Sequence, residues 1–252
     1  MPTFEFEKET IGHILQGRKG LHVPINQRSY QWKKEHAEDL YKDLNGAITQ
    51  NADEYFLGTI VVVVKPSVND IEVYDGQQRL ATSMLLIGAI RDYFFSSGDT
   101  QTARIIAEES LYSPVRQTLL PETHFGLSGD DNQFFVNRIL RSPDDPERKN
   151  AKPDPKKESH QRILDAAEAA AKHVEDITKT LPTADKAKHL HKWLDFIEKG
   201  ARVIWVEVAD QKTAFRIFET MNDRGLKLSA ADLLKNYLYS LAEKNQAAVV
   251  QK

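Results

Sequence analysis

The sequence predicts an α+β fold: a small mixed β-sheet joined to a large helical part. Three observations carry this. An apolar β-branched run, Phe56 to Val64, is followed by Lys65 to Asp70 with Pro, Ser and Asn, and then by the alternating Ile71 to Tyr74; this reads as two strands joined by a turn. Leu80 to Ile90 is too long and too uniformly apolar for a surface strand and reads as a buried helix. Beyond it, helical spacing dominates, interrupted by one alternating stretch, Arg202 to Val208, that reads as a strand.

The 252 residues suit one large domain or two small ones. The expected division is a core over 1–100 and a mainly helical part over 101–252, with strand 202–208 returning to the core sheet. The hydrophobic fraction of 40% supports a real core, and a net charge of −3 does not announce nucleic acid, although a neutral total can hide a basic groove. Cysteine is absent, which excludes disulfide scaffolds, thiol catalysis and Cys-zinc sites. Met1 to Glu9 is acidic without an apolar stretch, and no run approaches the length of a membrane span. A cytoplasmic protein with no membrane partner is expected. Glu243 to Lys252 ends in helical composition without a turn signal, as a piece of something longer would.

In chain order, Ile11, Ile14 and Leu15 have helical spacing. Leu21 to Ile25 is a short strand, and Pro24 places it at an edge or marks its end. Asn26 to Trp32 is a polar loop with two aromatics. His36 to Gln50 sets Leu40, Leu44, Ala47 and Ile48 on one helical face. Thr102 to Leu111 and Gln133 to Leu140 read as helices, the second with acidic residues at its start. Ser142 to Ser159 holds four prolines among charges and reads as a linker or flexible loop. His160 to Thr180 and Ala184 to Lys199 form a helical hairpin around Pro182. Lys212 to Met221 places Ala214, Phe215, Phe218 and Met221 at core spacing. Asn222 to Gly225 is a tight turn, and Ser229 to Asp232 starts a last helix.

The chemistry concentrates in Asp75-Gly76-Gln77-Gln78-Arg79, where a core strand turns into a core helix. Polar groups set in a dry junction are costly unless paired. Asp75 is expected at the helix N-cap, where capping alone, worth about 1 kcal/mol, would explain it. Gly76 supplies the turn, and at least one of Gln77 and Gln78 must point inward. Arg79 sits in the first helical turn, where the helix dipole disfavours a cation, so it needs an anion nearby. A bound phosphate and an internal carboxylate are equal readings of that need. A second constellation, Asn26 to Trp32, interleaves amide, Arg and aromatic residues in a way that suits stacking on a base and contact with a phosphate; a core-anchored loop is the plain alternative. A third is Asn222-Asp223-Arg224-Gly225 with Lys235-Asn236, otherwise ordinary turn chemistry and a solvated charge. The phosphate loop of P-loop NTPases, His-Glu-x-x-His, the Gly-x-Ser-x-Gly elbow and a His-Asn-His pattern are all missing. His189 and His191 diverge on a helix.

Val23 to Trp32, Phe56 to Ile60, Tyr74 to Leu80, Leu127 to Phe135, and Phe218 to Ser229 with Asp232, Lys235 and Asn236 occur in one order. Together they resemble the N-terminal domain of GmrSD-type modification-dependent restriction enzymes, over roughly residues 10 to 240. The resemblance implies a ParB/sulfiredoxin-like core whose Asp-Gly-Gln-Gln-Arg motif supports NTP hydrolysis with a divalent cation. It further implies a separate C-terminal His-Asn-His-type nuclease domain and work against phage DNA. Within the family the likeness is greatest to SspE-type effectors, which sense phosphorothioate-modified DNA.

The expected function is therefore an NTPase, with GTP the favoured substrate and Mg²⁺ the cofactor, coupled to recognition of modified DNA and regulating a nicking nuclease. Asp75, Gln77, Gln78 and Arg79 are the catalytic candidates, with Asp75 also on the metal. Gly76, Arg28, Asn222, Arg224, Lys235 and Asn236 are the nucleotide-binding candidates. Pro24, Gln27, Arg28, Tyr30, Gln31 and Trp32 are the DNA-sensing candidates; a sulfur-bearing backbone is less well hydrated than oxygen and favours an apolar lining, which Tyr30, Trp32 and Pro24 could offer. DNA, NTP and a second copy of the chain are the expected partners. One alternative is a DNA- or nucleotide-binding module that hydrolyses nothing. Another is a nuclease with Asp130 and Asp131 as metal ligands, although acidic residues at a helix start are ordinary.

Overall fold

A computed structural model describes residues 4–18, 20–65, 70–114 and 121–222. The turn between the two central strands lies outside these, as do Asp223, Arg224, Gly225, Lys235 and Asn236.

The chain opens with β1 (Phe4–Thr10), α1 (Ile11–Gly17) and β2 (Leu21–His22). Thr10 caps α1 by accepting the His13 N–H at 3.2 Å. After the polar loop comes α2 (Lys34–Thr49), which turns Leu40, Tyr41, Leu44 and Ile48 inward. Then follow β3 (Tyr55–Lys65), β4 (Asp70–Asp75) and the central helix α3 (Gln77–Ser96). From Leu80 to Gly88 every residue of α3 is buried, which is why that stretch has no polar face. Next are α4 (Thr100–Ser110), a two-stranded ribbon of β5 (Tyr112–Pro114) and β6 (Pro121–Thr123), and β7 (Phe125–Gly126). The helical part comprises α5 (Gly129–Phe135) running into a π-helical turn (Val136–Leu140), α6 (Pro146–Asn150), α7 (Glu158–Thr178) and α8 (Thr183–Lys199). The last described elements are β8 (Ala201–Val208) and α9 (Gln211–Asn222).

Among the described residues the main sheet is mixed, in the order β1-β8-β3-β4-β2-β7. β3 pairs parallel with β8 and antiparallel with β4. The sheet is covered on both faces, which explains the unbroken apolar run in β3. Ile60 and Val62 enter the large core with α1, α2, α3 and α8. Val61 and Val63 enter a smaller cluster with Tyr74, Val206, Val208 and two residues of α9, Ala214 and Ile217. Phe215, expected at a core position, is instead partly exposed and meets Tyr74 edge-on.

Two local readings change. The strand expected over Leu21 to Ile25 ends at His22, although the Val23 N–H still bonds Gly126 O at 2.8 Å. It lies inside the sheet, between β4 and β7, and Pro24 simply follows its end. The proline-rich stretch after Ser142 contains α6 and is tied down. Arg148 pairs with Asp92 of α3, and Arg141 donates to Asp145 at 2.8 Å. Beside them, fully buried Arg91 donates to the Leu140 and Ile139 carbonyls at 2.6 and 2.9 Å, satisfying the end of the π-helical turn.

Candidate functional site

The junction is built by a glycine. Gly76 has φ +86°, and a Cβ there would sit 2.7 Å from Ile60 Cγ1 and 3.0 Å from Thr59 O. The backbone therefore crosses β3 at a distance only glycine permits, in a conformation only glycine adopts freely. Gly76 also takes the N-cap position of α3, with no side-chain cap. Asp75 is thus not the cap that its position suggests; it is the last residue of β4. It is half-buried, and burial raises the pKa of its carboxyl, against the opposing pull of the Arg79 charge and the Gly76 N–H.

Arg79 turns back toward β3. Its Nη1 donates to Thr59 O at 3.0 Å, and its guanidinium lies against Gly58, whose would-be Cβ comes within 3.0 Å of Cζ. No described carboxylate forms an ion pair with it, and Asp75 acts on it through space alone. Of the two readings left open by the sequence, the internal Arg–carboxylate pair is absent among the described residues. The remaining N–H groups of Arg79 are free to meet an anion. Two neighbours carry unmet polar atoms. Among the described residues, nine-tenths-buried Gln77 has no partner for Oε1 and buried Thr59 has none for Oγ1. Leaving such groups unsatisfied costs about 1–3 kcal/mol each, so the junction holds polar capacity the fold itself does not use.

Gln78 points the other way, to the loop. Its Oε1 accepts the backbone N–H groups of Gln31 at 2.8 Å and Trp32 at 3.1 Å, and its Nε2 donates to Ser29 O at 3.5 Å. The preceding N–H, of Tyr30, is taken by Asp131 Oδ2 at 3.0 Å. Three successive loop amides are therefore held by two side chains. Asp131 is buried, and its Oδ1 accepts from Ser159 Oγ at 2.6 Å. This occupies the oxygens that the nuclease reading would have given to a metal. The side chain of Asp130 lies outside what the structure describes.

The DNA-sensing candidates divide. Tyr30 is 1% exposed, and its hydroxyl meets Thr82 Oγ1 at 2.7 Å, so it is a core residue whose ring is not offered to a ligand. Burial pushes the Tyr30 phenol up to about 12. Pro24 is buried, and Gln27 N closes a turn onto Pro24 O at 2.9 Å. Gln31 is exposed and its Oε1 accepts from Arg162 of α7 at 2.6 Å. Trp32 is half-buried and stacks on His36 with centroids 6.1 Å apart. Arg28 is exposed and forms no ion pair among the described residues. Of the nucleotide candidates, Gly76 lies at the junction and Arg28 in the loop. Asn222 is described only in its backbone, while Arg224, Lys235 and Asn236 lie outside the described residues.

Sequence reasoning missed Gly58, Thr59, Arg162 and Ile25. A glycine inside an apolar strand marks a bulge or a close approach, and β3 does shift register between Phe56 and Thr59. Ile25 is 87% exposed and borders a cleft of about 850 Å³ shared with Pro24, Val64, Tyr74 and Leu127. Among the described residues, His22, Asp70 and Glu72 have metal-ligand proximity, but Lys65 already pairs with both carboxylates there. Asp75 is not part of that group.

This architecture defines the protein as an α+β domain, with a mixed sheet closed by helices and a glycine-built strand–helix junction. Residues 11–239 match the GmrSD restriction endonuclease N-terminal domain, and the chain belongs to that family. That places it in a restriction system and in defence against phage. A search of curated proteins finds no match. No described helix is long and apolar enough to cross a membrane.

Proposed function

We propose that this domain binds and hydrolyses a nucleoside triphosphate, GTP foremost, with Mg²⁺ at the strand–helix junction, and couples turnover to recognition of modified DNA. The observation that carries the reading is Arg79: a guanidinium in the first turn of a core helix, laid against β3, with no carboxylate partner among the described residues. A helix N-terminus and an unpaired arginine together suit phosphate oxygens. In phosphoryl transfer, positioning and charge stabilisation do most of the work. In this reading Arg79 holds phosphate charge and Gln77 supplies its unpartnered amide oxygen to water or ligand. Asp75 would supply a carboxylate to Mg²⁺, whose charge would offset the cost of ionising it in a half-buried place and would neutralise phosphate charge. Asn222, Arg224, Lys235 and Asn236 are proposed to complete the nucleotide pocket.

Recognition of DNA, with phosphorothioate as the proposed modification, falls to the loop Asn26 to Trp32. Exposed Arg28 suits the backbone charge. The apolar lining proposed for sulfur shifts from Tyr30 to the cleft beside Ile25, Pro24 and Leu127. The hydrolysis signal is proposed to pass to a C-terminal His-Asn-His-type nuclease domain, in a cytoplasmic protein able to self-associate. Phosphate release by this chain, with and without phosphorothioate duplex, tests the reading. Turnover is expected to fall at least tenfold in Arg79→Ala. Nucleotide binding without phosphate release from any of the four NTPs would replace it with the non-hydrolysing module.

A further inference from the structure

We propose that Gln78 is a positioning residue that transmits occupancy between the nucleotide site and the DNA-reading loop, rather than a member of the catalytic set. The inference rests on the function proposed above and concerns how its two sites communicate.

Three consecutive residues of one helical turn divide their side chains between two places. Gln77 stays buried at the junction, and Arg79 returns to Thr59 and Gly58 of β3. Gln78, between them, spends its amide on the loop, holding the N–H groups of Gln31 and Trp32 with one oxygen. Side chains one position apart on a helix face different directions, so this turn is a rigid body that touches both sites at once. Among the described residues the two loop amides have no other acceptor, while Tyr30 on their N-terminal side is fixed to Asp131 and Thr82. The main-chain anchor at Tyr30 is thus independent of Gln78, whereas the backbone amides of residues 31 and 32 depend on it.

Of the two residues whose amides Gln78 holds, Gln31 is exposed and Trp32 is half-buried at the edge of the core. Gln31 presents its side chain to Arg162, and Trp32 stacks on His36. A ligand that rearranges either one loads the two bonds to Gln78. A phosphate drawn onto Arg79 loads the same helical turn from the other side. A coupling of this kind is reciprocal: nucleotide must tighten the loop as much as loop occupancy affects nucleotide.

Amide hydrogen exchange of the intact chain, read at Gln31 and Trp32 by NMR, tests the relay directly. A non-hydrolysable GTP analogue with Mg²⁺ is the probe, and its binding is followed separately by calorimetry. In the wild type the analogue is expected to slow exchange of both amides at least threefold. In Gln78→Met, which keeps length but removes the acceptor, basal exchange is expected to rise at least fivefold and the response to the analogue to vanish. Gln78→Glu keeps an oxygen acceptor and is expected to restore the protection. A merely structural Gln78 would alter basal exchange and leave the response to nucleotide intact. Analogue bound with no change at Gln31 and Trp32, or the same response in Gln78→Met as in wild type, overturns the relay alone. No binding of the analogue overturns the relay together with the nucleotide reading.

Discussion

The guanidinium of Arg79 rests on the α-carbon of Gly58, so closely that a methyl group at residue 58 would come within 3.0–3.2 Å of Cζ and both terminal nitrogens. Gly58 also has φ +110°, which L side chains rarely adopt. Gly58→Ala is therefore expected to displace Arg79 and to lose nucleotide affinity as far as Arg79→Ala does, at least tenfold by calorimetry. The two variants should separate in stability. Gly58→Ala carries about 1–3 kcal/mol of backbone strain in denaturant melts, while Arg79→Ala does not.

Asp75 gives a pH signature. Its carboxyl titrates above the ordinary range because burial disfavours the charged form. The folded state thus binds this proton more tightly than the unfolded state. The resulting cost to stability is absent below the unfolded pKa, builds as pH rises through the folded pKa, and is complete above it. Asp75→Asn is expected to be more stable than wild type at neutral pH, with the advantage shrinking as pH falls toward the usual aspartate range. Denaturant melts across pH check this. Saturating Mg²⁺ with nucleotide should stabilise the wild type and not the variant.

Asp131 is expected to behave as an anchor. Asp131→Ala removes the acceptor for the Tyr30 N–H and the Ser159 hydroxyl. At about 1–3 kcal/mol for each of the two stranded groups, the domain should lose roughly 2–6 kcal/mol of stability. Chelating divalent cations in the wild type should leave its melt unchanged in the absence of nucleotide. Divalent-dependent cleavage of plasmid that disappears in Asp131→Ala would contradict this assignment.

Arg28 offers a backbone contact that can be removed without harm to the fold, since it is exposed and forms no ion pair among the described residues. Arg28→Ala is expected to weaken DNA binding to a similar degree on every sequence and to lower the salt slope of log K by about 1. The melt should match wild type.

The elements were legible where local patterning decides them. The run in β3 and the unbroken apolar stretch of α3 announced a strand and a buried helix, because residues buried on all sides need no polar face; that the sheet is covered on both faces came from the structure. The candidate site was legible as composition but not as direction. Nothing local distinguishes Gln77, which stays inside, from Gln78, which serves a loop 47 residues away in sequence. Tyr30 looked like a ligand-facing ring because it sits among polar residues; its burial depends on Thr82 and Asp131, which are distant in sequence. Asp75 looked like a cap because aspartate often is one, but the left-handed Gly76 took that position. The prolines after Ser142 suggested looseness, and only the meeting of Arg148 with Asp92 shows that the segment is secured.

The placement of β8 has a consequence for how the chain is made. It is inserted between β1 and β3 and supplies all seven partners of β1. Until Ala201 to Val208 has left the ribosome, β1 has no neighbour and one side of β3 is open. At about 5–20 residues per second, that is roughly 10–40 s of synthesis with exposed strand edges. The sheet therefore closes late, through contacts about 200 residues apart, and such closure is intrinsically slow. The nascent chain is expected to depend on chaperone shielding over just this interval.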